Sequence, residues 1–164
     1  MVGFPLGASP TSSKVDEARR AADGGASELD MVANLGALRE GDLCAVHDDI
    51  RAVVSAAEAH PVKVILESGL ITRRELVVAA LLAVNAGARF LKTSTGFAYT
   101  RSGSGYLPLG ATTGHVSLLR ALGPHAVGVK ASGGIRTFDD AAALVRAGAS
   151  RLGASASLAI VSAA

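Results

Sequence analysis

Three hexapeptides in this chain echo one another. Gly25-Ala26-Ser27-Glu28-Leu29-Asp30, Gly87-Ala88-Arg89-Phe90-Leu91-Lys92 and Gly148-Ala149-Ser150-Arg151-Leu152-Gly153 share a Gly-Ala opening and a later Leu, and their glycines lie 62 and 61 positions apart. In each copy the glycine ends a helical stretch and the chain enters a short strand. Such a spacing fits two strand–helix units of about 30 residues each. Alternating strands and helices imply a parallel sheet with helical crossovers, so the fold class is α/β. If the units are equivalent, Asp30, Lys92 and Gly153 sit at one level of that sheet.

The rest of the chain fits the same alternation. Strands are expected at Val2–Leu6, Glu28–Val32, Val62–Glu67, from Phe90, at Ala126–Lys130 and at Arg151–Gly153. Helices are expected from the Ser12-Ser13-Lys14 region to Asp23, from the polar turn at Asp42 to about Ala59, over Thr72–Asn85, Thr113–Leu122 and Phe138–Arg146, and from about Ser155 to the end. A Gly/Ser loop fills Thr100–Leu107. Six strand–helix units result, in a single domain over residues 1–164. A closed (β/α)8 barrel has eight units and usually more than about 200 residues. The chain therefore reads as a barrel lacking its opening units, a barrel completed by a partner chain, or an open sheet of another design.

Composition narrows the function classes. Hydrophobic residues make up 49% of the 164 but aromatics only 4%, so the core is built from Ala, Val, Leu and Ile. A formal charge of +2 gives no reason to expect a nucleic-acid or membrane partner. Cys44 is the only cysteine. With no signal-peptide pattern at the start, a soluble, reduced, cytoplasmic protein is expected.

Two lysines carry the sharpest chemical signal. Phe90-Leu91-Lys92-Thr93-Ser94-Thr95-Gly96 and Val127-Gly128-Val129-Lys130-Ala131-Ser132-Gly133-Gly134 each end an apolar strand with a lysine and follow it with small or hydroxyl residues. Side chains alternate along a strand, so Phe90, Lys92 and Ser94 share one face. At the carboxyl ends of parallel strands both lysines would face the mouth of a barrel. Burial and a neighbouring cation both depress an amine's pKa. The pair thus reads as a Schiff-base lysine, Lys92, and a helper cation, Lys130, with Gly128 leaving the latter room. Asp30 lies among apolar residues and needs a partner; it reads as a proton relay or as a structural ion pair. Gly133-Gly134 and Gly153-Ala154-Ser155 follow the last two strands, where backbone N–H groups and helix N-termini can hold a phosphate. Glu67 could stand at the mouth, and Lys63 at the opposite end in a structural role. His47, His60, His115 and His125 have no metal-ligand spacing and read as surface residues. No metal or cofactor is expected.

These residues also resemble a known family. Val2-Gly3-Phe4-Pro5-Leu6-Gly7, Glu28-Leu29-Asp30-Met31-Val32, Val64-Ile65-Leu66-Glu67, the two lysine motifs through Phe97 and Thr137, and Arg151-Leu152-Gly153-Ala154-Ser155 resemble deoxyribose-phosphate aldolases. That resemblance implies a TIM barrel and a metal-free class I aldolase, which cleaves 2-deoxy-D-ribose 5-phosphate to D-glyceraldehyde 3-phosphate and acetaldehyde. It implies Lys92 as the Schiff-base lysine, Lys130 as the residue lowering its pKa and Asp30 as the relay acid. Thr95, Gly133, Gly134, Gly153 and Ser155 would bind substrate. Partners would be the phosphosugar and aldehydes, with open strand edges favouring a homo-oligomer. The family's first two strand–helix units and its tyrosine-bearing tail have no counterpart here, and Ala156 stands where some members have a second hydroxyl. Two other readings compete: an inactive barrel keeping phosphate binding at most, and another Schiff-base phosphosugar aldolase.

Overall fold

A computed structural model describes residues 1–163. Seven helices and seven strands follow one another: α1 Thr11–Asp23, β1 Leu29–Val32, α2 Leu35–Glu40, α3 Leu43–Ala56, β2 Val62–Ile65, α4 Arg73–Asn85, β3 Phe90–Lys92, β4 Tyr99–Ser102, β5 Gly105–Pro108, α5 Thr113–Leu122, β6 Gly128–Ser132, α6 Phe138–Arg146, β7 Arg151–Gly153 and α7 Ser157–Ser162. β1-β2-β3-β6-β7 form one parallel sheet in that order, and Val2 adds a parallel bridge to Met31 at its first edge. This is an arc of a (β/α) barrel.

The three echoed hexapeptides are one recurring helix-to-strand joint. Gly25, Gly87 and Gly148 all have positive φ, +85°, +97° and +112°. In each joint the residue after the glycine donates its N–H five residues back: Ala26 to Ala21, Ala88 to Ala83, Ala149 to Leu144. Glycine supplies the left-handed turn that lets the helix's last carbonyls be satisfied before the strand begins.

Strict alternation then divides the sheet. Leu29, Met31, Val62, Val64, Leu91, Val129 and Ala131 are buried against the helices in the main apolar cluster. Their neighbours Asp30, Lys63, Lys92 and Lys130 point to the other, concave side. Both faces being covered explains why β1 and β2 are buried at every residue. Outside the arc, α1 and α3 are locked by a fully buried ion pair, Lys14 to Asp49 at 2.6 Å, which Thr11 joins through Asp49 Oδ1 at 2.8 Å. That pair was not expected from sequence, because Lys14 falls where a solvated helix start reads equally well.

Four other expectations change. The strand at Val2–Leu6 shrinks to Val2, because Gly3 and Gly7 take positive φ and close a turn, with Gly3 donating to Glu17. Asn34 accepts from the Ala37 N–H and starts the unexpected short helix α2. The Thr100–Leu107 loop is an antiparallel hairpin, with Gly103-Ser104 as its two-residue turn and Gly103 at φ +57°. The last helix ends at Ser162; Ala164, to which it was expected to run, lies outside the described residues.

Leu91 sits at the centre of the sheet with no exposed surface. Leu91→Ala should cost about 2–5 kcal/mol in urea unfolding, leaving the concave-side lysines in place; a loss under about 1 kcal/mol would show that the strand's outer face is not the core described.

Candidate active site

The echo suggested that Asp30, Lys92 and Gly153 share a level. In hydrogen-bond register they do not: Asp30 pairs with Lys63 and Phe90's row, Lys92 is opposite Ile65 and Lys130, and Gly153 is opposite Ser132. The shift is two residues for every two strands. One residue per strand is the shear of an eight-stranded barrel, in which tilted strands bring staggered residues to one height along the axis. The side chains confirm it, for Asp30 reaches Lys92 two strands away.

Asp30 is the hub. Its Oδ2 accepts from Lys92 Nζ at 2.7 Å and Lys130 Nζ at 2.8 Å, and its Oδ1 accepts from Lys63 Nζ at 2.8 Å. Lys63 also meets Glu28 Oε2 at 2.8 Å, and Glu28 in turn accepts from Arg151 of β7. Arg151 lies over the Phe90 ring, 4.7 Å from its centroid. Lys63 therefore does not stand apart at the opposite end of the barrel. Its long side chain climbs from a lower register into the cluster. The signal was present in the alternation of Glu28-Leu29-Asp30 and Lys63-Val64-Ile65, which aims all three charged groups inward.

Protonation follows from these contacts. Burial opposes charge on Asp30, but the hydrogen bonds from Lys130, Lys63 and Lys92 together outweigh it and hold the carboxyl well below the usual carboxylate range. Burial is the largest influence on the Lys92 amine and pushes it down. The Asp30 hydrogen bond and charge pull it back up, and the charges of Lys130 and Lys63 press it down again, so the amine ends below an ordinary lysine. Glu28 is lowered first by the Lys63 hydrogen bond, against burial, and further by Arg151.

Above the cluster opens a cavity of about 690 Å³ lined by Lys92, Thr95, Phe97, Lys130, Gly133, Gly134, Arg136, Gly153 and Ser155, among others. Of the residues read as catalytic or substrate-binding, all but Asp30 line it directly, and Asp30 is hydrogen-bonded to both lysines beneath. Gly133 and Gly134, at φ +84° and +76°, form a turn after β6 that lines the opening. A Cβ at Gly153 would come within 3.2 Å of Lys130 Cε, so this glycine gives Lys130 its room. Gly128, expected to do so, instead accommodates Phe90, whose ring would stand 2.3 Å from its Cβ. Thr95 is held by Glu67: its N–H lies 3.1 Å from Oε2 and its hydroxyl donates to the same oxygen. Glu67 is thus a buried support for the Thr95 loop rather than a group at the mouth. Tyr99 and Pro108 at the base of the hairpin complete one wall.

Behind the Gly133–Gly134 loop lies a second cavity of about 560 Å³, bordered by Ser68, Thr112 and His115. His115 is half-buried rather than a surface residue, burial pushes its imidazole down, and Nδ1 has no hydrogen-bond partner among the described residues. His47 and His60 are also half-buried, each with hydrogen-bond partners, and only His125 is exposed.

Comparison with known proteins agrees with this geometry. The family model described as DeoC/LacD family aldolase matches residues 4–163. Deoxyribose-phosphate aldolase of Exiguobacterium sibiricum is 51% identical over 162 residues, which are 98% of this chain and 69% of that protein. The Bacillus cereus enzyme of the same name is 53% identical over 163 residues, with the same coverage. Among solved structures, a Coccidioides immitis protein superimposes with a TM-score of 0.88 at 46% identity, covering 98% of this chain and 61% of that one. Deoxyribose phosphate aldolase from Aeropyrum pernix, described as a unique tetramer, superimposes with a TM-score of 0.83 at 36% identity, covering 64% of that chain. The chain thus spans about two thirds of the length of these relatives. Among the described residues no helix is long and apolar enough to cross a membrane.

Removing Lys130 should raise the Lys92 pKa twice over, by deleting a nearby positive charge and by leaving Asp30 Oδ2 to Lys92 alone. In Lys130→Met, the pH midpoint for acetylation of Lys92 by acetic anhydride, followed by peptide mass, should rise by about one unit. An unmoved midpoint would show that Lys130 does not act on Lys92 electrostatically.

Proposed function

The chain belongs to the DeoC/LacD family of aldolases, and from that premise we propose that it carries the reversible retro-aldol cleavage of 2-deoxy-D-ribose 5-phosphate to D-glyceraldehyde 3-phosphate and acetaldehyde. The observation that carries this reading is a buried lysine amine, lowered below its ordinary pKa, with Asp30 at 2.7 Å and a second lysine on the same carboxylate oxygen. That is the arrangement an imine-forming nucleophile requires near neutral pH.

The steps follow from the contacts. The neutral Lys92 Nζ bonds to the C1 aldehyde of the open-chain sugar, and the former carbonyl oxygen leaves as water, giving an iminium. Loss of the C3 hydroxyl proton breaks the C2–C3 bond, and its electron pair moves into the iminium to form an enamine. D-glyceraldehyde 3-phosphate departs. The enamine carbon gains a proton, water adds to the renewed iminium, and acetaldehyde leaves with the amine restored. Asp30, hydrogen-bonded to both amines, is the group we assign to moving these protons, with Lys130 sharing its oxygen. The substrate phosphate would lie on the far side of the cavity, against the backbone of Gly133, Gly134, Gly153 and Ser155, with Thr95 beside the sugar; the Glu67 contacts that order Thr95 support this. The resident lysine makes a metal unnecessary for carbonyl activation in this scheme.

Borohydride added with acetaldehyde should leave an ethyl group on Lys92, identified by peptide mass, and borohydride added with 2-deoxyribose 5-phosphate should trap the same lysine, as the ethyl or the reduced sugar adduct. Asp30→Asn should slow cleavage about 10²–10⁴-fold. Ethylation at Lys130 or Lys63 with Lys92 untouched would sink the aldolase reading.

A further inference from the structure

Beneath the reacting amine runs a chain of charges that the chemistry above does not use. Arg151 pairs with Glu28, Glu28 with Lys63, and Lys63 with Asp30, each link at hydrogen-bond contact. The chain crosses the concave side from β7 to β1 and β2, and none of these three residues lines the cavity. We propose that Glu28 and Arg151 are positioning residues that tune the Lys92 amine through Lys63, by setting how much of the Lys63 positive charge remains uncompensated beside Asp30. The inference rests on Lys92 being the reacting amine.

The argument is one of charge sharing. Lys63 is buried, with two carboxylate partners, Glu28 and the Oδ1 of Asp30. What Glu28 neutralises, Asp30 need not, so Asp30 keeps its Oδ2 for Lys92 and Lys130. Arg151 competes with Lys63 for the same Glu28 oxygen, Oε2. A stronger Arg151–Glu28 pair therefore leaves Lys63 more positive. The charged groups that face Lys92 from packed elements are Asp30 of β1, Lys63 of β2 and Lys130 of β6. Arg151 of β7 and Glu28 stand behind them, and Glu67 is engaged by Thr95. Charges at these separations, partly sheltered from water, interact strongly enough to move an amine measurably. Phe90, seated against Gly128, packs under the Arg151 guanidinium and holds it toward Glu28.

Two charge-removing changes then act in opposite directions. Glu28→Gln strips Lys63 of its second anion, so the full charge bears on Lys92 and its acetylation midpoint should fall by about half a unit to one unit. Arg151→Gln gives Glu28 wholly to Lys63 and removes a cation, so the midpoint should rise by a similar or smaller amount. The double variant changes no net charge and should return close to wild type. The measurement is acetic anhydride labelling of Lys92 against pH on the full chain, with circular dichroism checking that each variant is folded. Opposite shifts cancelled in the double variant support the proposal. Unmoved midpoints in folded single variants, or shifts of the same sign, overturn it, since a merely structural tie between β7 and β1 would give one of those. Should Glu28→Gln not fold, the sign of the Arg151→Gln shift decides. Absence of a borohydride-trapped adduct would instead remove the aldolase reading and leave this comparison intact.

Discussion

One carboxylate makes the interior of this barrel arc possible. Lys63, Lys92 and Lys130 converge on the same small volume, and without Asp30 three ammonium groups would repel one another with little water to screen them. Asp30 accepts one hydrogen bond from each, at 2.7 to 2.8 Å. The same contacts create the functional asymmetry. Three cations share the Asp30 charge, and only Lys63 has a second carboxylate, Glu28, so Lys92 and Lys130 divide one oxygen between them. The one lowered below its ordinary value is Lys92, for which burial is the leading cause. Folding stability and nucleophilicity therefore draw on one interaction, and they draw in opposite directions.

The barrel's geometry is what lets Asp30 do this. A flat sheet with straight register would put Asp30 beside Phe90 and two residues short of Lys92. The stagger of one residue per strand brings Asp30 on β1, Lys92 on β3 and Gly153 on β7 to a common height. The recurrence of one joint, glycine in the left-handed region followed by a strand, keeps that stagger regular. Each of the three copies then offers the last residue of its hexapeptide to the same ring around the axis. In the first copy the position carries the Asp30 carboxylate, in the second the Lys92 amine, and in the third a glycine whose missing side chain makes space for Lys130.

How much of this could be read from the chain alone depends on the kind of signal each residue gives. α4, α5, α6 and β7 fall on the expected residues because a capping threonine, a periodic apolar face and a terminal glycine are local features. Lys92 and Lys130 were legible for the same reason: each stands at the end of an apolar strand. Alternation shows that Glu28 and Lys63 point inward, but not that they meet each other, Asp30 and Arg151, because a long side chain travels across several registers, and only tilt and curvature decide where its charge arrives. Gly128 shows the same limit from the other side. Its lack of a side chain announced a close approach, but whether Phe90 or a lysine would use the space is decided by the packing of Arg151 on the ring. The hairpin at Tyr99–Pro108 was hidden because its Ser-Gly-Ser-Gly tip dominates the composition of two strands only four residues long.

The exposure of the inward cations grades across the arc. Lys63 keeps 4% of its side-chain surface open, Lys92 7%, Lys130 17% and Arg151 40%. The gradient follows strand order toward β7, whose outer edge has no strand partner among the described residues. Screening therefore rises in the same direction, so a charge near β2 weighs more on Lys92 than an equal charge near β7. This is why Lys63, though farther down its strand, shares the task of depressing Lys92 with Lys130, which stands directly opposite it.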